Sequence, residues 1–135
     1  MTNHKRILTI EETICNYYEI QRENLYKPNR LDIYVRARYL IWHYAKTIFD
    51  IKITEVARHY HKHHTSVMHG LKSVQDSIDT KQYLYHDLTR LDPIMTQIGQ
   101  RLNMKVIIEV ETGTNWRSMI TDISEKYNVI NYQVV

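Results

Sequence analysis

The chain has 135 residues, 43% of them hydrophobic and 24% charged, which suits one globular domain with a small appendage and argues against disorder. The single cysteine, Cys15, excludes an intramolecular disulfide, and no apolar run suits a signal peptide or a membrane span, so we expect a cytoplasmic protein without a membrane partner. The net charge of +3 is uneven: residues 1–75 carry 12 Lys and Arg against 7 Asp and Glu, and residues 76–135 carry 6 against 8, which favours a polyanionic partner.

The first predicted element is a helix from about residue 10 to residue 21. Thr9 and Glu12 have the spacing of a capping box, in which each side chain satisfies a free backbone donor. A short turn follows, where Leu25 is expected to fill the core and Pro28 to prevent further helix.

Residues 32–49 form the strongest helical pattern, with Asp32 as the expected N-cap. Apolar residues recur at three- and four-residue spacing and predict one buried stripe: Ile33, Ala37, Leu40, Ile41, Tyr44, Ala45 and Ile48. Further helices are predicted over 54–61, 64–77 and 80–91, and Asp92-Pro93 is expected to break or kink the chain before a last helix to about residue 102.

The pattern changes after Asn103. Residues 105–111 and 128–135 are rich in β-branched residues, and residues 116–127 between them are amphipathic. The predicted fold is therefore mainly α. Residues 1–103 would form a helical domain with a helix-turn-helix, and residues 104–135 a small C-terminal β-α-β (α+β) extension.

The most informative segment is KITEVARHYHKHHTSVMH, residues 52–69, which has the pattern of a short helix, a tight basic turn and a second helix. His63, His64, Thr65 and Ser66 stand where that second helix begins, with Lys62 in the turn before them. Small hydroxyl side chains and imidazoles at such a position can contact base edges and phosphates in a DNA groove.

Arginine and lysine surround this segment in the sequence. The long predicted helix carries Arg36, Arg38 and Lys46, which could neutralise phosphates, and Arg30 precedes it in a loop that could reach a minor groove. The pattern thus predicts a protein that binds double-stranded DNA and does not catalyse a reaction. The same charges could also form only a solvated face.

The run from Arg30 to Asp76 resembles the C-terminal DNA-binding domain of the bacterial replication initiator DnaA, and the resemblance covers roughly residues 10–98. Its signature here is His63-His64-Thr65-Ser66-Val67, in register with Arg30, Arg36, Arg38 and Lys46. The resemblance implies an all-helical fold related to the tryptophan repressor. It places Arg30 in the minor groove, Arg38, Lys46 and Ser66 on phosphates, and His63, His64 and Thr65 on major-groove base edges.

The sequence departs from the family pattern in three places. His63 replaces an acidic residue, the turn is one residue shorter than a glycine-containing turn, and Tyr39 replaces a polar residue. An acidic side chain accepts from cytosine N4, whereas histidine more naturally donates to guanine N7 or O6. The resemblance therefore implies DNA binding in replication initiation or transcription control, and a stand-alone domain of this kind fits a phage or mobile-element origin, but the family's target sequence does not carry over.

The sequence also bears on three other functions: an enzyme, a metal-binding protein and a module that pairs with a second copy. No phosphate-binding loop is present, so no nucleotide cofactor is expected, and no nucleophile–base or paired-carboxylate arrangement predicts an enzyme. His59, His61, His63, His64 and His69 could instead bind a metal, although no acidic or cysteine partner completes a set. The β-rich tail could pair with a second copy and make a homodimer.

Overall fold

The computed structural model describes residues 2–103, 106–108 and 132–134, with side chains over residues 2–102. Five α-helices occur in the described chain: α1 (Asn3–Tyr18), α2 (Asp32–Phe49), α3 (Ile53–His59), α4 (His64–Thr80) and α5 (Tyr85–Asn103). A 3₁₀-helix at Arg22–Leu25 joins α1 to the loop before α2. The expectation of a mainly helical protein is confirmed.

Two short strands follow, β1 (Val106–Ile108) and β2 (Tyr132–Val134). They pair in parallel, with Val106 opposite Tyr132 and Ile108 opposite Val134. The helix predicted over 116–127 lies outside the described residues, so the β-α-β extension stays a prediction. The chain divides into two compact units, Met1–Met95 and Thr96–Val135, and the predicted boundary at 103 likewise stays a prediction.

The core of the first unit is built mainly on α1 and α2. Ile10, Ile14, Leu40 and Ile41 have no exposed surface, and Leu25 fills the core beside them, as predicted. Ile33 of the predicted stripe is 37% exposed and lies outside the core. Trp42 is only 3% exposed, although its position falls outside the predicted stripe.

The predicted start of α1 is wrong. The helix begins at Asn3, where the Thr2 hydroxyl accepts from the Lys5 amide at 3.3 Å. Thr9 lies inside the helix and its hydroxyl donates to the Lys5 carbonyl, so no capping box forms there. Asp32 is likewise not the N-cap of α2, because Leu31 occupies that position without a side-chain bond.

The break predicted at Pro93 is also wrong. Pro93 lies inside α5, which continues to Asn103. A proline inside a helix removes one hydrogen bond and costs about 3 kcal/mol, but this is a penalty that packing can offset. Leu91 and Met95, on either side of Pro93, are 0% and 1% exposed, and their burial favours continuing the helix through it.

Tyrosine hydroxyls tie α1 and α2 to α5. Tyr17 and Tyr18 donate to the two oxygens of Asp87 at 2.7 and 2.8 Å, and Tyr44 donates to Asp92 at 2.6 Å. Burial and the adjacent carboxylate raise the pKa of both Tyr18 and Tyr44 well above the ordinary value. These tyrosines therefore stay protonated donors, and the acids they contact are occupied inside the helical unit.

Over the described residues, no helix is both long and apolar enough to cross a membrane.

Candidate nucleic-acid interface

The turn between α3 and α4 is tight because two backbone bonds close the end of α3. The His61 amide donates to the Arg58 carbonyl at 3.2 Å, and the Lys62 amide donates to the Ala57 carbonyl at 2.9 Å. These two bonds form a Schellman motif, which requires a left-handed residue at its centre. His61 takes that conformation with φ 53°. The chain therefore makes the turn without the glycine that usually serves there.

The second helix of the pair begins where the sequence predicted. His63 is the N-cap of α4, and its side chain accepts from the Thr65 amide at 3.3 Å. His64, Thr65 and Ser66 are exposed in the first turn of the helix. Because the first amides of a helix lack partners within it, this end of α4 presents N–H groups and hydroxyls together to solvent.

A concave surface of about 650 Å³ lies between α2, the loop before it and the start of α4. We call it the α2–α4 groove. Its lining residues are Arg30, Val35, Arg38, Tyr39, Trp42, Lys62, Thr65, Ser66 and His69. Three of these are cationic, three carry hydroxyls and none is acidic, so the groove favours an anion.

Gly70 sets the distance between the two helices that form the groove. A Cβ atom added at Gly70 would lie 2.7 Å from Trp42 Cε3 and 2.7 Å from Tyr39 Cδ1. Carbon atoms in contact normally lie about 3.5–4.0 Å apart, so any larger residue would push α4 away from α2. The close approach places His69, the residue before Gly70, beside the Tyr39 ring with 6.1 Å between ring centroids.

Arg38 lies at the base of the groove and is 6% exposed. Its guanidinium donates to the carbonyls of Leu25 and Asn29. Desolvation lowers the pKa of Arg38, but an arginine remains protonated at neutral pH. Arg38, for which the resemblance had implied a phosphate contact, thus holds the loop that carries the exposed Arg30.

Arg36 points to a different surface. It pairs with Asp32 and with Asp87, the latter at 3.4 Å, and lies over the Tyr83 ring at 4.4 Å from the centroid. The carboxylates, Asp32 first, raise the pKa of Arg36 against the opposing effect of burial. Its charge is therefore already balanced, and Arg36 does not line the groove. Lys46, near the other end of α2, is exposed and also lies outside the groove.

The structure thus brings together five of the nine predicted site residues: Arg30, Arg38, Lys62, Thr65 and Ser66. His63 and His64 stand next to them at the start of α4, with ring centroids 4.4 Å apart. The sequence reasoning missed Val35, Tyr39, Trp42 and His69. The spacing of 35, 39 and 42 places the first three on one face of α2, which was the signal available in the sequence.

The histidines do not assemble a metal site in the part of the chain that the structure describes. No group of three or more His, Cys, Asp or Glu side chains there is placed to hold a metal ion. His59 is drawn inward instead, where its ring contacts Tyr26 Oη at 2.8 Å and Glu11 Oε1 at 3.3 Å. The tight turn ends α3 before His63, so His59 shares no helical face with His63 and His64.

Two helices joined by a four-residue turn, with the second presenting an exposed polar N-terminus, define a helix-turn-helix protein. The family described as bacterial DnaA protein helix-turn-helix matches residues 7–74. The chain belongs to this family, and the resemblance predicted from the sequence is confirmed.

The curated relatives are chromosomal replication initiator proteins DnaA. The protein of Ruegeria pomeroyi is 29% identical over 91 residues, which are 64% of this chain and 19% of that protein. The protein of Rhizobium meliloti is 23% identical over 93 residues, 68% of this chain and 19% of that protein. The match thus covers about a fifth of the length of these relatives. No solved structure matches the chain significantly.

Proposed function

We propose that this chain binds double-stranded DNA selectively, with the N-terminal turn of α4 in the major groove. The observation that carries the proposal is the α2–α4 groove, where three cations and two hydroxyls meet at the start of the second helix of a helix-turn-helix. A helix fits the major groove, and short polar side chains at its tip reach base edges. The two relatives are chromosomal replication initiator proteins, which supports a role in replication initiation.

Eight of the nine predicted site residues have a place in this proposal. His63, His64 and Thr65 contact base edges, and Ser66, Lys62 and Lys46 contact phosphates. Arg30 extends from its loop into the adjacent minor groove, and Arg38 supports that loop from beneath through the Leu25 and Asn29 carbonyls. We leave Arg36 out of the interface, since Asp32 and Asp87 balance its charge.

The test is selection from a random duplex library with the full chain, followed by measurement of affinity against salt concentration. An enriched motif with affinity that falls steeply as salt rises is the expected result, because phosphate contacts release counterions. Salt-sensitive binding without a motif would contradict base readout, and no binding would contradict the proposal.

Matched variants locate the binding surface. Arg30→Ala should weaken binding to the enriched duplex, whereas Lys5→Ala, which removes the same charge from an exposed position on α1, should leave it nearly unchanged. Equal losses in both variants would show that affinity depends on net charge and not on the α2–α4 groove.

The C-terminal part adds a second element to the proposal. We infer that residues 104–135 form the small α+β extension and that a homodimer assembles through it. Over the residues that the structure describes, β1 and β2 form a two-stranded sheet, and the outer edge of such a sheet can add a strand from another copy. A dimer would place two α4 helices on one DNA. Sedimentation at two concentrations tests this, and a monomer at both would exclude the dimer.

A further inference from the structure

His63 has a hydrogen-bond arrangement that fixes where its proton sits. Its Nδ1 atom accepts from the Thr65 amide at 3.3 Å. An amide N–H can only donate, so Nδ1 must present its lone pair. The Thr65 hydroxyl lies 2.9 Å from the same nitrogen and can donate to it as well.

A neutral imidazole carries one proton, and a ring whose Nδ1 accepts must carry it on Nε2. The ring is held in place, since it caps α4 on one side and lies against His64 with an interplanar angle of 33°. The side chain is nevertheless exposed. His63 therefore offers solvent a fixed Nε2–H donor and no acceptor.

We propose that His63 selects a base edge that presents a hydrogen-bond acceptor, namely N7 or O6 of guanine, N7 of adenine or O4 of thymine, and rejects an amino group at that position. This inference rests on the proposed function, because it assigns the chemistry of one contact within it. The amino groups of cytosine and adenine are donors in the major groove, and two facing donors leave both unpaired. An acidic residue at this position would select the opposite, since a carboxylate only accepts.

The first measurement is NMR of the imidazole nitrogens in the uniformly ¹⁵N-labelled chain at neutral pH. Long-range ¹H–¹⁵N correlations distinguish a protonated from an unprotonated ring nitrogen. We expect His63 to show a protonated Nε2 and an unprotonated Nδ1. A predominant Nδ1–H form would overturn the proposal whatever the DNA measurements show.

The second measurement compares motifs selected from a random duplex library by the wild type, His63→Asp, His63→Asn and His61→Asp. Aspartate and asparagine are both favourable N-caps, so α4 should keep its start in either variant. His61→Asp introduces the same carboxylate two residues away at an exposed turn position. It therefore controls for the change in charge.

The wild type should exclude cytosine from one position of its motif, and His63→Asp should select cytosine there while the other positions stay the same. Asparagine, which can donate or accept, should relax the preference. His61→Asp should keep the wild-type motif. Where the selected base is adenine, whose only major-groove acceptor is N7, its 7-deaza analogue should weaken wild-type binding about fivefold, the effect of one lost hydrogen bond, and leave His63→Asp unaffected.

The outcomes separate the inference from the function it rests on. If the wild type enriches a motif that His63→Asp does not alter, DNA binding stands and the assignment of His63 is wrong. If the wild type enriches nothing, the proposed function fails and the base contact fails with it. A circular-dichroism melt of each variant shows that a lost preference does not come from an unfolded chain.

Discussion

At the scale of single residues, the structure of the α4 N-terminus separates helix capping from DNA contact, two roles that the sequence alone assigns to the same residues. Thr65 uses its backbone amide to bond the His63 cap, and its side chain stays exposed. A change of the Thr65 side chain therefore leaves the amide bond in place. This makes Thr65 a suitable position to test base readout without loss of the helix start.

We predict that Thr65→Ala flattens the preference between DNA sequences. One lost base contact should cost about 1–3 kcal/mol on the preferred duplex and nothing on unrelated duplexes. Lys46→Ala is the comparison, because an exposed phosphate contact should weaken binding to every duplex alike. Competition titrations with preferred and scrambled duplexes measure both. An equal loss on all sequences in Thr65→Ala would rule out its role in base readout.

Glu11 is the residue whose role the sequence did not reveal. Its carboxylate has no exposed surface, and it accepts from the hydroxyls of Tyr26 and Tyr60, the latter at 2.5 Å. Arg22 Nε lies 3.1 Å from Oε2 and forms an ion pair without the alignment of a hydrogen bond. Burial raises the pKa of Glu11, but the hydrogen bonds from His59, Tyr26 and Tyr60 together outweigh it and leave the pKa below its ordinary value of 4.5.

We predict that Glu11→Gln lowers stability at neutral pH by about 1–3 kcal/mol, because the neutral amide weakens the hydrogen bonds that the buried carboxylate accepts from Tyr26 and Tyr60. Because the folded-state pKa is lowered, the contribution of Glu11 is complete above pH 4.5 and is lost as pH falls through that lower value. Thermal melts at pH 7 and pH 3.5 should therefore differ less in Glu11→Gln than in the wild type. Glu12→Gln, at an exposed neighbouring position, should behave like the wild type. Identical effects in the two variants would contradict the role of Glu11.

At the scale of elements, the contact between α2 and α4 determines the groove. Gly70 is the point of closest approach, and the rings it touches, Tyr39 and Trp42, also line the groove. Helix propensity alone would favour alanine over glycine at this interior position by about 1 kcal/mol. Packing therefore predicts that Gly70→Ala lowers stability, whereas helix propensity predicts that it raises stability. The measured sign decides between them.

We predict that Gly70→Ala destabilises the chain by about 1–3 kcal/mol, because the added methyl overpacks the buried Trp42 ring and the half-buried Tyr39 ring. It should also weaken DNA binding, since α4 would shift against α2. Chemical denaturation and a duplex titration measure the two effects. Lys72→Ala, at an exposed position two residues later, is the control for stability. A Gly70→Ala chain as stable as the wild type would show that the helices are not held at this distance.

Some elements could be predicted from the sequence and others could not, for physical reasons. The apolar stripe of α2 repeats over five turns, so both of its ends were predicted at 32 and 49. Thr9 and Glu12 match a capping motif that is only four residues long, and the real cap at Thr2 replaced it. The site shows the same contrast. The polar start of α4 depends on residues that are neighbours in the sequence, and it was predicted. The pairing of Arg36 with Asp87 spans 51 residues and was not.

At the scale of the whole molecule, the local grouping of charge explains how a net charge of only +3 can serve a polyanion. In the helical unit, hydrogen bonds or ion pairs occupy four of the acids on α1, α2 and α5: Glu11, Asp32, Asp87 and Asp92. Over the described side chains, Arg30, Lys46 and Lys62 form no ion pair. Most other lysines and arginines there form none either, so what distinguishes the α2–α4 groove is that three cations line it without an acidic residue.

This distribution distinguishes two cations of α2 that look alike in the sequence. Arg36 and Lys46 stand on the same helix and each adds one positive charge. Arg36 is balanced by two carboxylates, so on binding it would release few counterions from DNA. Lys46 is exposed and can replace a counterion at a phosphate. The two residues should contribute differently to the salt dependence of binding, although they contribute equally to net charge.

We predict that Lys46→Ala reduces the slope of log affinity against log salt by about 1, the contribution of one phosphate contact. Arg36→Ala should leave the slope unchanged while it lowers thermal stability, because Asp87 loses its cation. Titrations of one duplex at several salt concentrations, below the melting temperature of each variant, measure the slopes. If the slope falls equally in both variants, affinity follows net charge, and Arg36 belongs to the interface as the sequence had first predicted.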